Sequence, residues 1–391
     1  MRFAFWNPAA ARRKFRDRIA DSIRKRFPEL RIESPGDLDL VVALPHGGEV
    51  RLALERGYTE FSKSPSSFDD IAHRWLGAIA DELDTLSPER ALEALVAMIK
   101  SQSWLEDQIA ATRDMDASAK FDLWWRPYNE ELIVVLADFR QGIRYLHRSD
   151  VRAFDRPEAE LESIGVHNLL RRTTDRSVTS DSGLHLLGAG GNLEASLLLD
   201  DDLLADHRLT VEGEALIGIP DRDSLIVSAS ESPSDVFYAS SAVSYLFERE
   251  AYPLSRNLFV KRSGSWVPLD LGLIDESHPI PNPDVIDIHA AKKEGGTVAV
   301  MLIPSPLNSD PRSVFRLFRK LRNYLDWLGS ASYSEKYGSP TAETTRIEVR
   351  LHPDSSPEIS ALLQSLIPWV EARHATLEAV VDEPESNGST H

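Results

Sequence analysis

The sequence predicts a protein of the α+β class, with a mixed α+β main domain followed by a small ββαβα domain. Helix-like and strand-like segments follow one another without the regular alternation that marks a doubly wound parallel sheet. The chain has 391 residues, and a domain commonly has about 150, so two or three domains are expected. Apolar residues make up 42% of the chain and charged residues 27%, which is typical of globular proteins.

A proline-rich segment marks the predicted domain boundary. Three prolines stand at alternate positions within residues 275–283, and they favour an extended chain over a helix or a central strand. We therefore predict a main domain over residues 1–275, a linker over 276–283 and a small domain over 284–381. The acidic, Ser/Gly/Asn-containing residues 382–391 are expected to be a disordered tail. Brief proteolysis is expected to cut the linker.

The first helix is predicted over residues 9–27. Phe15, Ile19 and Ile23 recur at spacings of four, and arginines occupy the other face. A basic amphipathic helix can lie on an anionic membrane. Two aspartates interrupt the basic face here, so the pattern favours packing against its own domain.

Alternating apolar residues predict strands in the rest of the main domain, and spacings of three and four predict helices. The predicted strands cover residues 31–32, 38–44, 49–54, 184–187, 214–219 and 224–230, and residues 128–139 are predicted to be a strand pair or a strand–turn–strand. The predicted helices cover residues 68–83, 158–172, 194–206 and 234–247. A Pro–Gly turn predicts a hairpin between the second and third strands. A further element, whose type the pattern does not decide, covers residues 93–100.

The C-terminal domain is predicted from a clear ββαβα pattern. Its strands are expected over residues 285–289, 297–303 and 346–351, and its helices over 311–328 and 357–372. Asp310 followed by proline is a typical helix start. One stripe of the longer helix is expected to be buried and another to face solvent. The buried stripe is Leu317, Leu321, Tyr324 and Leu328, and the solvent stripe is Arg316, Lys320 and Asn323.

The net charge of −18 is unevenly distributed. Residues 1–27 carry +7, residues 28–283 carry −21, residues 284–381 carry −1 and the last ten residues carry −3. An acidic surface repels phosphate backbones, so nucleic acid is not expected as a partner. It can attract a basic protein partner, or serve only to keep the chain soluble.

Cysteine is absent from the sequence. This excludes disulfides, thiolate zinc sites, iron–sulfur clusters and a cysteine nucleophile. The chain does not begin with the pattern of a signal peptide, and no apolar run reaches the length of a membrane span. A cytoplasmic location is therefore expected, and the oligomeric state is left open.

Two carboxylates, Asp221 and Asp223, lie at a predicted strand end and are the clearest candidates for chemistry. Such a pair can hold magnesium, but Asp side chains in a turn also bond to the backbone, and the turn is favoured. The loop Gly188–Asn192 has the position of a phosphate-binding loop without its full glycine pattern. His167, His185 and His207 have no metal-ligand spacing. We expect no catalytic, cofactor-binding or metal-ligating residue.

Five basic residues lie off the apolar stripe of the long C-terminal helix. They are Arg312, Arg316, Arg319, Lys320 and Arg322. They can dock an acidic partner, including the acidic main domain of the same chain. A solvated charged face is the favoured interpretation.

Several segments agree in order and spacing with a known family. They are residues 98–104 (Met-Ile-Lys-Ser-Gln-Ser-Trp), 132–139, 144–146, 167–170, 191–196 and 217–226. The last contains a strand–Pro-x-x-Asp–strand hairpin with Asp223 on the shared aspartate. Over about residues 10–270 the chain resembles the uncharacterised bacterial family typified by YtpQ (domain of unknown function 1444). The family's glycine–aromatic lead-in is here Gly191-Asn192-Leu193. The resemblance implies a fold and no activity.

The C-terminal part carries a weaker resemblance. Residues 283–288 and 319–324, with a later strand flanked by basic residues, resemble domain of unknown function 6572. Domains of that kind resemble immunity or accessory modules of bacterial conflict systems.

These observations predict a non-catalytic protein-binding, accessory or immunity-like protein that engages a partner through its acidic surface. One alternative is a hydrolase or ligand-binding enzyme that uses Asp221 and Asp223. A second is peripheral membrane attachment through the basic N-terminal helix.

Overall fold

A computed structural model of the protein describes residues 8–43, 49–85, 88–115, 121–140, 142–181, 183–292 and 296–381. The chain divides into two compact units. The first comprises residues 1–95 with 138–144, and the second comprises 96–137 with 145–391. Helices and several separate sheets occur together, so the predicted α+β class is confirmed.

The first unit packs helices on a small antiparallel sheet. Its helices are α1 (Pro8–Arg26), α2 (Glu55–Lys63), α3 (Phe68–Thr85) and α4 (Pro88–Ala94). Its strands, in sheet order, are β1 (Arg31–Glu33), β2 (Asp39–Ala43) and β3 (Glu49–Ala53). The predicted β2–β3 pairing is confirmed, and the turn between them lies outside the described residues.

The apolar stripe of α1 is buried in the core of the first unit. Phe15, Ile19 and Ile23 are fully buried there, and the Phe15 ring contacts Tyr58 and Phe61 at centroid distances of 5.6 and 5.1 Å. The prediction that this helix packs on its own domain is therefore confirmed.

The next sheet along the chain has two long strands that are buried throughout. The strands are β4 (Leu95–Ser101), β5 (Trp125–Pro127), β6 (Leu132–Asp138) and β7 (Arg144–Tyr145), with β6 between β4 and β5. The helices that follow them in the chain are α5 (Gln102–Met115), α6 (Arg148–Ala153) and α7 (Glu158–Arg172). The near-continuous apolar runs of β4 and β6 are typical of strands covered on both faces.

A six-stranded antiparallel sheet forms the middle of the second unit. Its strands are β8 (Ser177–Asp181), β9 (Leu184–Gly188), β10 (Ala215–Gly218), β11 (Leu225–Ala229), β12 (Leu258–Arg262) and β13 (Ser265–Pro268). Their order is β13-β12-β10-β11-β9-β8. Helix α8 (Pro233–Arg249) begins at Ser232, whose side chain accepts a hydrogen bond from the Asp235 amide, and packs on this sheet.

The C-terminal part has more elements than the predicted ββαβα pattern. Its strands are β14 (Ile288–Ala291), β15 (Thr297–Ile303), β16 (Thr345–Leu351) and β17 (Thr376–Val381), in that sheet order. Its helices are α9 (Pro311–Leu328), α10 (Ala331–Tyr337), α11 (Pro357–Ser365) and α12 (Ile367–Glu371). The single helix predicted over 357–372 is interrupted at Leu366, because Pro368 cannot donate a backbone hydrogen bond.

One hydrophobic core joins α8 to the C-terminal elements. The Phe237 ring of α8 contacts Phe318 and Trp369, each at 5.2 Å between centroids. The predicted linker 276–283 lies within the second unit, and its Ile280 belongs to this core. A domain boundary at 276–283 is not confirmed and stays a prediction.

Residues 194–206 do not form the predicted helix. They form two short 3-10 turns, Glu194–Leu199 and Leu203–Ala205. Asp200 stands between the turns, where its side chain accepts a hydrogen bond from the Asp202 amide and pairs with Arg176 at 2.8 Å. Such local side-chain bonds compete with a continuous helix.

The polar stripe of α9 was predicted to face solvent, and for Arg316 and Lys320 this is wrong. The predicted buried stripe is confirmed, and the Asp310 cap is present. Arg316 is 0% exposed and Lys320 is 2% exposed, while Asn323 is half-buried. Residues 270–287 supply the hydrogen-bond partners of Arg316 and Lys320. The side-chain nitrogen of Asn323 is buried without a partner.

Within the described part of the chain, every helix is too short or too polar to cross a membrane.

Candidate functional site

An apolar groove lies beside helix α8 in the second unit. It has a volume of about 830 Å³ and lies among β9, α8, α9 and α12. Its apolar lining includes Leu186, Ile226, Tyr238, Tyr245, Leu325 and Trp369. We call it the α8 groove.

Three large apolar side chains of this groove remain exposed to solvent. Leu186 is 45% exposed, Tyr238 39% and Tyr245 54%. The two tyrosines lie seven residues apart on α8 and therefore share one face of the helix. Leu186 alternates along β9 with the buried residues His185 and Leu187, so it points to the opposite face of the strand. Two elements thus present apolar surface to the same opening.

The rim of the α8 groove carries three acidic side chains and two arginines, Arg322 and Arg373. Asp181, Glu248 and Asp326 line it. Arg322 donates a hydrogen bond to Glu248 and lies 3.4 Å from an Asp326 oxygen. The Arg373 guanidinium stacks 3.9 Å from the Trp369 ring centroid. Burial, and then the positive charge of Arg322, lower the pKa of Arg373.

A second, polar cleft adjoins the groove and shares Ser244, Phe318, Arg322 and Asp326 with it. Its volume is about 530 Å³. Its wall is bonded internally, because the Glu131 carboxylate accepts hydrogen bonds from the Ser255 hydroxyl, at 2.7 Å, and from the Asn257 amide. These polar groups therefore satisfy one another and fix the shape of the cleft.

Asp221 and Asp223 shape the connection between β10 and β11. One oxygen of the buried Asp221 accepts a hydrogen bond from the Asp223 amide at 2.7 Å. Asp223 in turn accepts from the Asn192 amide at 2.6 Å and from Arg222 Nε at 3.1 Å. These are the backbone bonds expected of a turn. The second oxygen of Asp221 is buried without a hydrogen-bond partner, and burial raises the pKa of this carboxyl group.

The three histidines of the middle region have separate surroundings. His185 is buried, with hydrogen bonds to the Ser180 hydroxyl at 2.7 Å and the Thr210 carbonyl at 2.9 Å. His167 lies exposed on α7, and His207 is exposed beside Asp206. Among the described residues, no cluster of three or more His, Asp or Glu side chains is arranged to hold a metal ion.

The glycine-containing loop over residues 188–192 binds a carboxylate of its own chain. The Ala189 and Gly191 amides donate to the buried Glu194 side chain at 2.8 and 2.7 Å, and the Leu193 amide donates at 3.1 Å. A phosphate would need these same amide donors. The Glu194 carboxylate therefore occupies the place that a bound anion would take.

A solvated charged face was the favoured prediction for the basic side chains of α9, and this is wrong. All five are paired with acidic side chains of residues 248–287. The pairs are Arg312–Asp275, Arg316–Asp270, Arg319–Asp284, Lys320–Asp287 and Arg322–Glu248. The basic side chains instead pair with acidic residues of the same chain, which was the alternative prediction.

No protein-family model matches this sequence, and neither a curated protein nor a solved structure shows significant similarity to it. The resemblances to the two domains of unknown function stay predictions.

The α8 groove was not predicted from the sequence. Its sequence signal is the spacing of Tyr238 and Tyr245 on a helix that was predicted. That signal does not separate an exposed stripe from a buried one, and Leu186 becomes part of the groove only through the pairing of β9 with β11.

Proposed function

We propose that this chain is a non-catalytic binding protein that receives an apolar segment of a basic protein partner in the α8 groove. The observation that carries the proposal is the exposure of Leu186, Tyr238 and Tyr245 around one opening. Exposed apolar side chains gathered in one place mark interaction sites more often than scattered ones do.

The residue types support a protein partner. Tyrosine and tryptophan are enriched at protein interfaces, because they bury a large area and lose few rotatable bonds. Tyr238, Tyr245 and Trp369 all line the groove. Their neighbours Ser241, Ala242 and Ser244 are small, which leaves room for side chains of a partner between the two tyrosines.

Charge supports a basic partner. Asp181, Glu248 and Asp326 stand at the rim, and residues 28–283 carry a net charge of −21. Complementary charge raises the association rate and disfavours wrong partners. We expect the partner in the cytoplasm, the location that the cysteine-free sequence favours.

Selection from a random peptide library displayed on phage tests this proposal. Enriched peptides are expected to combine aromatic or aliphatic residues with Lys or Arg. Tyr245→Asp should weaken their binding roughly tenfold or more, as for a central interface aromatic. Leu204→Asp is the matched control, because Leu204 is similarly exposed and does not line the groove.

Two results would contradict the proposal. Peptides that bind both variants equally would place the interaction elsewhere. Enrichment of acidic peptides would contradict the inferred charge of the partner.

A second candidate function is a hydrolase that uses Asp221 and Asp223. One observation favours it: Asp221 has a raised pKa and a buried, unpartnered oxygen, which is a feature of some general acids. A screen with chromogenic ester, phosphate and glycoside substrates would test it. Activity that is lost in Asp221→Asn at unchanged melting temperature would support the hydrolase over the binding protein.

A further inference from the structure

A buried lysine lies in the second unit, outside the α8 groove. Lys100 stands near the end of β4 and is 5% exposed. Its ammonium lies 5.5 Å from the Trp104 ring centroid and 5.3 Å from that of Tyr145, and no residue of the described chain forms a hydrogen bond with it. A buried charge is normally paired, because removal from water is costly. Lys100 therefore differs from Arg316 and Lys320, which are both paired.

The surroundings of Lys100 carry an excess of positive charge. The Arg222 guanidinium is close enough to lower the pKa of Lys100, and Asp223 is close enough to raise it. Burial is the largest effect, and it brings the pKa of Lys100 down to about 8. Asp223 is already engaged by the Asn192 amide and by Arg222 Nε. Two cations thus face one carboxylate that has other partners.

Aromatic rings enclose these cations. Arg222 lies 3.7 Å from the Tyr252 ring centroid. Burial raises the pKa of Tyr145, and the positive charge of Arg222 lowers it in part. The first turn of α5 follows directly, with the Ser101 hydroxyl accepting a hydrogen bond from the Trp104 amide at 3.1 Å. The start of a helix adds positive potential.

We propose that Lys100, Arg222 and the start of α5 form a binding site for a small anion that carries an aromatic ring. The class of ligand is a phosphate or carboxylate group carried on an aromatic or heteroaromatic ring. The anionic group would neutralise Lys100 and Arg222, and the ring would stack against Trp104, Tyr145 or Tyr252. This site is independent of the protein-binding function proposed for the α8 groove.

A purely structural role does not explain Lys100. Replacing a buried ion by an apolar side chain of similar volume is often neutral or stabilising, and Met has nearly the length of Lys. A lysine at a position where an apolar side chain would be at least as stable indicates a functional role, because activity is often gained at the expense of stability.

Pyridoxal 5′-phosphate is a suitable probe, since it carries a planar ring, a phosphate and an aldehyde. The neutral Lys100 amine adds to the aldehyde carbon, a C=N bond forms, and the carbonyl oxygen leaves as water. Borohydride then delivers hydride to the imine and leaves a stable secondary amine, which peptide mass spectrometry locates. With a pKa of about 8, about half of the amine is neutral at pH 8, against less than about 1% for an ordinary lysine.

We expect Lys100 to be labelled at least tenfold faster than the exposed Lys63. Millimolar inorganic phosphate or benzoate should slow the labelling of Lys100 and leave Lys63 unchanged. Protection by phosphate alone assigns the site to phosphates, and protection by benzoate alone assigns it to carboxylates. Arg222→Met should reduce the protection.

Labelling of Lys100 no faster than of Lys63, or fast labelling that neither anion slows, would overturn the proposal. Lys100→Met supplies a measurement that does not depend on labelling. Its melting temperature should equal or exceed that of the wild type. A clear decrease would show that Lys100 is structural and would overturn the proposal as well.

Discussion

Replacing Arg316 with leucine removes the charged side chain that holds residues 270–281 against α9. Arg316 donates to both oxygens of Asp270 at 3.0 and 2.8 Å. It also donates to the carbonyls of Ile280 at 2.9 Å and Pro281 at 2.7 Å. Both Arg316 and Asp270 are buried. It donates to the Leu273 carbonyl as well, at 3.3 Å. The guanidinium therefore satisfies one buried carboxylate and three backbone acceptors at once.

The expected loss follows from what the substitution leaves behind. Removing one member of a buried ion pair costs about 3–5 kcal/mol, because the other charge stays buried without its partner. Arg312 lies 3.4 Å from Asp270 and offsets part of this cost. The freed carbonyls each add about 1–3 kcal/mol unless water reaches them. We expect Arg316→Leu to lower the free energy of unfolding by at least about 3 kcal/mol, a large share of an ordinary domain's stability.

Urea unfolding followed by circular dichroism measures this difference. Arg319→Leu is the matched control, because Arg319 is on the same helix and its partner Asp284 is largely exposed. An exposed ion pair contributes about 0–1 kcal/mol, so the control should change little. Equal effects of the two substitutions would refute the reasoning.

Limited proteolysis supplies a second measurement of the same contacts. The sequence predicted early cleavage between residues 275 and 284. The buried Ile280 and the bonds to Arg316 predict that the wild type resists cleavage there and that Arg316→Leu is cut. Early cleavage of the wild type would support a flexible linker over residues 276–283 and would refute the role assigned to Arg316.

Three further predictions concern single side chains. The pKa of Lys100 is lowered to about 8, so above that pH the unfolded chain binds more protons than the folded chain. The free energy of unfolding of the wild type should therefore rise by roughly 3 kcal/mol relative to Lys100→Met between pH 8 and 10.5. Urea unfolding that shows no such rise would contradict the burial of the Lys100 charge. Leu321→Ala should cost about 2–5 kcal/mol, since Leu321 is fully buried, and a loss below 1 kcal/mol in thermal unfolding would contradict it. Phe15→Asp should lower the stability of the first unit by a few kcal/mol, measured by hydrogen exchange of α1, and unchanged protection would contradict the packing of that helix.

The sequence predicted the elements whose patterns are local. Strand β15 was predicted with the same bounds, and α8 and α9 within two residues, because apolar periodicity and caps are read from neighbouring residues. Helix α2 and strand β17 were missed, since their short patterns acquire a buried face only from contacts distant in sequence. The helix predicted over 194–206 is wrong because the Asp200 side chain accepts a hydrogen bond from the backbone amide of Asp202.

The basic stripe of α9 shows why the charged residues were harder to predict. Periodicity places Arg316 and Lys320 off the apolar stripe, and this is correct. It does not show whether solvent or an acidic segment covers them. Residues 270–287 contain the aspartates Asp270, Asp275, Asp284 and Asp287, and pairing these with the helix required a tertiary contact. Lys100 is a similar case, because Tyr145 and Arg222 are brought to it only by the fold.

The net charge of a long segment of sequence does not give the charge around a particular site within it. Residues 28–283 carry −21, yet Lys100 and Arg222 lie within this region and face a single nearby carboxylate. The α8 groove and the Lys100 site are therefore proposed to take ligands of opposite charge. Tyr245→Asp should weaken binding of the selected basic peptides roughly tenfold or more and leave pyridoxal phosphate labelling of Lys100 unchanged. Arg222→Met should reduce the protection of Lys100 by anions and leave peptide binding unchanged. If either substitution affected both measurements while the melting temperature stayed constant, the two sites would be one coupled site, and their independence would be refuted.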